Sequence, residues 1–207
     1  MLQLLYTPHT CSLATHIALV DAGAAYTLRR IDFSTTEQQS PEYLAINPKA
    51  RVPSLITARG VLTETPAMLA FVAQSYPDAM LAPLTDPFQF AELQAFNSYL
   101  CSTVHVAHAH RMRGYRWADD SAAISAMQKK VPQSVGACFD LIERHMLRGP
   151  WVMGDVYTVA DPYLFTLAQW LEADGVDPAQ LPRVIGHRER MLCREGVRRA
   201  LAEELTE

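Results

Sequence analysis

Residues 3–23, QLLYTPHTCSLATHIALVDAG, decide how the chain folds. QLLYT reads as a strand. Beyond it Leu13, Ala14, Ile17, Ala18 and Val20 recur at helical spacing, which predicts an apolar-striped helix, and Gly23 stands where a left-handed cap would end it. A single cysteine, Cys11, falls at the junction between the two. It is either a small buried thiol or, because a helix N-terminus favours the thiolate, a reactive one.

The segments that follow extend the alternation. AYTLRRIDF predicts a second strand, and PEYLAINP a short helix bounded by proline, with Pro48 pushing Asn47 toward extended geometry. VPSLIT and VLTE flank the short link ARG and predict a hairpin. Thr65 is placed to cap the next helix, with Pro66 at its first position, and that helix is expected to run to about Tyr76. Strand, helix, strand, short helix, strand, strand, helix is a small α/β layer with mixed pairing. PDAMLAPLTDP then breaks the pattern with three prolines.

No convincing strand appears after it. Helices are predicted at about 88–112, 121–147, 158–172, 181–192 and 197–204, an all-α second half. The expected organisation is therefore an α/β domain over residues 1–77, a linker over 78–87 and an all-helical domain over 88–207. Thr158 and Asp161 have capping-box spacing, a structural device at a helix start.

The 207-residue chain is 49% hydrophobic, enough for a substantial core, and its 18 basic and 22 acidic residues give a formal charge of −4. Neither sign forms a long block, so no nucleic-acid or membrane partner is expected. The opening residues lack a basic targeting region and no apolar run approaches the roughly 20 residues of a membrane span, which predicts a cytoplasmic protein. Cys11, Cys101, Cys138 and Cys193 form no CxxC pair, so they are expected as free thiols rather than as a disulfide framework or zinc knuckle.

Four stretches carry a resemblance: TPHTCSLATHIAL, YLAINPKARVPSL, LTETPAMLAFVAQSYP and GDVYTVADPYLF, in this order over nearly the whole chain. Together they are similar to the cytosolic glutathione transferases, and the first is closest to the bacterial beta class. The resemblance implies a thioredoxin-like N-terminal domain, a C-terminal helical bundle domain and a homodimer. It also implies glutathione as co-substrate, no metal, and a small electrophile as second substrate.

The residues agree chemically with that implication. Pro53 lacks an N–H and tolerates a cis bond, so the peptide groups of Val52 can pair with an extended peptide at a strand end. The resemblance makes Pro53 cis and gives Val52 the cysteinyl part of glutathione, with Arg51 beside it. Glu64 can attract an ammonium, and Thr65, with the free N–H groups of its helix, can hold a carboxylate, which suits the γ-glutamyl end. The family usually has serine at the Thr65 position. Taken alone, ETP is equally a plain helix start.

Three side chains are candidates to polarise the glutathione sulfur: Cys11, aligned with the beta-class cysteine, Ser12, as serine does in other classes, and Tyr6. The alternatives are an ordinary first-turn residue for Ser12 and an aromatic packed beneath the site for Tyr6. His105 resembles the beta-class histidine that lines the cleft, although Val106 replaces the usual lysine after it. His105 and His108 share a helix face, but no third metal ligand is evident. Arg111, Arg113 and Arg116 can supply positive charge, and Met112, Tyr115 and Trp117 can line the electrophile pocket. Three functions follow: a transferase conjugating glutathione to apolar electrophiles; a glutathione-dependent thiol-disulfide oxidoreductase or peroxidase working through a Cys11 mixed disulfide; or a non-catalytic glutathione-binding protein.

Overall fold

A computed structural model describes residues 1–206. Strand β1 (Leu2–Tyr6) leads into helix α1 (Ser12–Asp21) and back to β2 (Tyr26–Arg30), which lies parallel to β1 with Leu2 opposite Tyr26. The short α2 (Pro41–Ile46) begins where the Tyr43 N–H donates to Ser40 Oγ at 3.1 Å and ends at the extended Asn47, as Pro48 requires. Strands β3 (Ser54–Thr57) and β4 (Gly60–Thr63) form the predicted hairpin, and β3 also runs antiparallel to β1, giving the order β2-β1-β3-β4. Helix α3 (Thr65–Ser75) completes this half.

The second half is built of helices, with no strand among the described residues beyond an isolated bridge between Trp151 and Gly154. Helices α4 (Pro87–Tyr99) and α5 (His105–Arg113) are joined by a π-helical segment, Leu100–Val104, where the sequence predicts one unbroken helix. Helix α6 (Ser121–Leu141) ends in a second π segment, Ile142–Met146. Helices α7 (Ala160–Ala168), α8 (Pro182–Leu192) and α9 (Glu195–Thr206) follow, α7 ending four residues before the expected Glu172. The stretch between α3 and α4 is held to this half: Leu81 is buried in the core and its carbonyl accepts the Val159 N–H at 2.8 Å.

Helix α1 departs most from its expected form. The periodicity predicts one buried stripe, but every residue from Ser12 to Leu19 is buried, because β1 and α3 cover one side while α7 and α9 cover the other. Its polar residues must then find partners inside the protein. His16, fully buried, does so with Nε2 2.9 Å from Glu203 and Nδ1 3.4 Å from Glu204, both on α9. Past Asp21 the helix stops on Gly23 at φ +63°, with the Gly23 N–H bonded to the Val20 carbonyl and the Ala24 N–H to that of Leu19, each at 3.0 Å.

Asp161 is the corresponding anchor of the helical half. Its buried carboxyl group accepts the Val152 and Thr158 N–H groups, each at 2.7 Å, and lies 3.0 Å from His187 Nε2. The Thr158 hydroxyl adds a longer contact at 3.3 Å. Replacing Asp161 by alanine leaves two amides and an imidazole stranded in the interior, each worth about 1–3 kcal/mol. Chemical melts of Asp161→Ala are therefore expected to show a loss of about 3 kcal/mol or more, and those of Thr158→Ala about 1 kcal/mol. Near-native stability in Asp161→Ala would refute the anchoring role.

Candidate active site

The α/β half and the helical half leave between them a cleft of about 510 Å³, within the range of small-molecule sites. Its floor is the loop from β1 to α1. Thr7 Oγ1 donates to the Ile31 carbonyl at 2.7 Å, and Thr10 Oγ1 and Ser12 Oγ both donate to the Thr7 carbonyl, at 2.7 and 3.1 Å. The Thr10 and Ser12 hydroxyls also lie 2.7 Å apart. Ser12 is thus spent on shaping the loop: it is fully buried and does not line the cleft. Tyr6 is likewise fully buried in the core, outside the cleft lining, its ring 6.2 Å from that of His16.

Cys11 does line the cleft, at the start of α1. It is 8% exposed, and its Sγ lies 3.6 Å from the Val52 carbonyl, to which the thiol donates. Burial pushes the thiol up to about 11, against the smaller downward pull of the Thr65 hydroxyl and of Arg113. This reverses the expectation of a thiolate favoured by the helix N-terminus: desolvation of the charged form outweighs the dipole. At neutral pH Cys11 is a hydrogen-bond donor.

Around Cys11 the predicted binding residues converge. The Val52–Pro53 bond is cis, and the β3 ladder begins only at Ser54, so the Val52 peptide groups lie outside the sheet. Arg51, Val52 and Pro53 line one wall, Glu64 and Thr65 a neighbouring part of it, and His105 the wall opposite. The start of α3 differs in detail from the prediction. Thr65 is the first helical residue rather than the cap, Pro66 the second, and Glu64 occupies the cap position at φ +73° without capping through its side chain. Its carboxylate reaches instead to Lys49 Nζ at 2.6 Å. A non-glycine residue in such backbone costs about 1–3 kcal/mol, a strain that clusters at ligand sites.

His105 is held well down, to about 3, first by burial and then by the charges of His108, Arg113, Arg51 and Arg116, so it is neutral at neutral pH. His108, the other member of the pair, is committed to Asp174 at 2.7 Å. Among the described residues no group of three His, Cys, Asp or Glu side chains is placed to hold a metal. Of the three arginines considered, Arg113 and Arg116 line the cleft, whereas Arg111 turns away to Asp174 and the Ala173 carbonyl. Tyr115 and Trp117 line it too, but Met112 does not.

Sequence reasoning missed several lining residues. Lys49 lies inside a quoted motif, INPKARVP, and was recognisable as a cation near Glu64 only once the hairpin had folded. Trp170 had no local signal. Its ring stacks on His108 with centroids 4.1 Å apart, and its indole N–H donates to the His9 carbonyl at 3.2 Å, tying the helical half to the loop that carries Cys11. Tyr163 and Cys101 complete the cleft between α5 and α7.

Comparison with known proteins accounts for both halves. Residues 4–74 match the family model "Glutathione S-transferase, N-terminal domain" and residues 121–190 "Glutathione S-transferase, C-terminal domain". A glutathione S-transferase of Escherichia coli O157:H7 is 31% identical over 206 residues, covering 98% of each chain. The structure of a glutathione transferase homologue from Sulfitobacter with bound glutathione superposes with a TM-score of 0.95 at 45% identity, covering 98% of each chain. The beta-class enzyme of Sphingomonas chungbukensis superposes with a TM-score of 0.84 at 30% identity, again covering 98% of each.

The raised Cys11 thiol makes a direct prediction. With the thiolate limited to on the order of one molecule in several thousand at pH 7.5, iodoacetamide is expected to alkylate Cys11 about a hundredfold more slowly than an ordinary cysteine, and the exposed Cys193 first. The Cys11 rate should climb about tenfold per pH unit between pH 7 and 10. Peptide mass spectrometry reads both thiols; rapid, pH-independent labelling of Cys11 at neutral pH would contradict the burial argument.

Proposed function

The chain belongs to the glutathione S-transferase family, and from that premise we propose that it conjugates the sulfur of glutathione to a small electrophile. The observation carrying this reading is the placing of cis Val52–Pro53, Glu64 with Thr65, and Cys11 around one cleft. Glutathione offers a backbone that can pair with the Val52 peptide groups outside the sheet, a γ-glutamyl ammonium for Glu64 and a carboxylate for the first turn of α3 and its Thr65 hydroxyl. Arg51 and Lys49 supply positive charge for the remaining carboxylate. The sulfur then falls toward Cys11 and His105.

A thiol whose pKa is about 11 is a poor nucleophile at neutral pH and a serviceable hydrogen-bond donor. Cys11 therefore stabilises the glutathione thiolate by donating its S–H, exchanging the Val52 carbonyl for the incoming sulfur. Neutral His105 opposite lines the same space without adding a charge and is too weak a base to keep a proton, so the proton that the glutathione thiol loses passes to solvent. Ser12 and Tyr6 act on this chemistry indirectly, Ser12 by holding the loop and Tyr6 by packing beneath it. The same protonated thiol disfavours the oxidoreductase reading, which needs a Cys11 thiolate to attack a disulfide.

The active unit is read as two domains, 1–77 and 88–207, joined by 78–87, in a cytoplasmic homodimer. No helix of the described residues is long and apolar enough to cross a membrane. The test is a pair of assays on wild type, Cys11→Ala and Ser12→Ala: conjugation of glutathione to an aryl halide, and reduction of a glutathione mixed disulfide. Conjugation by wild type, falling about tenfold or more in Cys11→Ala with glutathione binding retained, is the expected outcome. Disulfide reduction without conjugation would replace this reading with the second.

A further inference from the structure

The charge lining the cleft is lopsided. Lys49, Arg51, Arg113 and Arg116 face it, and Glu64 is the one carboxylate lining it among the described residues, in a chain whose net charge is −4. Glu64 is already matched by Lys49. Among the described residues no ion pair engages Arg51, Arg113 or Arg116. The three guanidiniums are close enough to repel one another: burial and then Arg113 and Arg51 hold Arg116 below the usual arginine range. Unpaired cations crowded into one cleft are costly unless an anion shares it.

On the binding mode proposed above, glutathione engages the α/β wall, where Glu64, Thr65, Lys49 and Arg51 lie, and leaves part of this charge unused. Arg113 and Arg116 belong to the other wall, at the end of α5 and in the turn Gly114–Arg116 beyond it. There they alternate with aromatic rings left open to solvent, Tyr115 at 63% and Trp117 at 48% exposure, and both rings line the cleft. Guanidiniums interleaved with open rings fit a flat apolar body that carries a negative group at its edge.

We propose that the electrophile is a carboxylate-bearing aromatic or conjugated molecule, its ring against Tyr115 and Trp117 and its carboxylate on Arg113 and Arg116. This rests on reading the chain as a glutathione-conjugating enzyme and specifies the second substrate. The excess positive charge also draws such an anion into the cleft. With an activated aryl chloride, the glutathione sulfur forms a bond to the ring carbon, the C–Cl bond breaks with its electron pair leaving as chloride, and the thiol proton passes to solvent.

The test compares 4-chloro-3,5-dinitrobenzoate with its neutral twin, 4-chloro-3,5-dinitrobenzamide, at saturating glutathione. Because any influence of Arg113 on the thiolate acts on both, the ratio of the two kcat/KM values is read. In Arg113→Ala/Arg116→Ala the benzoate-to-benzamide ratio is expected to fall about tenfold or more, with partial recovery in the double lysine variant. Raising ionic strength should lower the wild-type ratio in the same direction. Arg116→Gln, at an exposed position, carries the test if the double variant unfolds, and is expected to lower the ratio to a smaller degree.

An unchanged ratio would overturn the proposal. So would a rise in KM for glutathione measured with the benzamide, since the arginines would then serve glutathione's own carboxylate. Calorimetry on the wild type separates the two levels: absence of glutathione binding would overturn the underlying reading and this one with it.

Discussion

Helix α1 is the member on which the rest of the structure depends, because it is packed on every side at once. One side seals the sheet together with α3, and the other receives α7 and α9 from the helical half. A helix so enclosed cannot shift without opening both halves, and its first turn carries Cys11. The cleft therefore has a rigid floor. The price of total burial is polar groups that need partners inside the protein, and His16 meets this by engaging two carboxyl groups of α9.

Burial also sets the chemistry. A cysteine at a helix start is expected to ionise readily when it is open to water, yet here the thiol is enclosed beneath Val52 and Thr65 and its pKa rises. Loss of hydration acts on the full charge of a thiolate, whereas the helix end offers only a partial opposing charge. The same desolvation keeps His105 neutral within a field of arginines. Two uncharged groups thus face the place where a glutathione thiolate would sit, Cys11 able to donate a hydrogen bond and His105 adding no charge of its own. Arg113 and Arg116 add positive charge to the wall that carries His105.

Much of the binding wall was legible in the chain because its elements are local. Pro53, Glu64 and Thr65 sit at strand ends and a helix start whose positions follow from short-range punctuation, and the structure brings them to one cleft. Where local reading erred, longer-range contacts were responsible. Thr65 was placed at the cap because ETP is a cap pattern, but Lys49 draws the Glu64 side chain away and the helix begins one residue earlier. Ser12 is the runner-up to Cys11 in the sequence; the hydroxyl network with Thr7 and Thr10 turns it inward. Arg111 groups with Arg113 and Arg116 by proximity in sequence, yet Asp174, 63 residues on, claims it.

By itself, then, the sequence determined the order of strands and helices, the mixed sheet, the helical second half and the motifs that carry the family resemblance. These depend on periodicity, proline and glycine placement, and capping, all of which act over a few residues. Only the tertiary structure decided which of the candidate side chains reach the cleft, that Cys11 stays protonated there, that Trp170 ties the helical half to the loop of Cys11, and that the opposite wall is cationic. Those properties arise from desolvation and from charges and carbonyls brought together across the chain, and no stretch of sequence contains them until folding closes the distance.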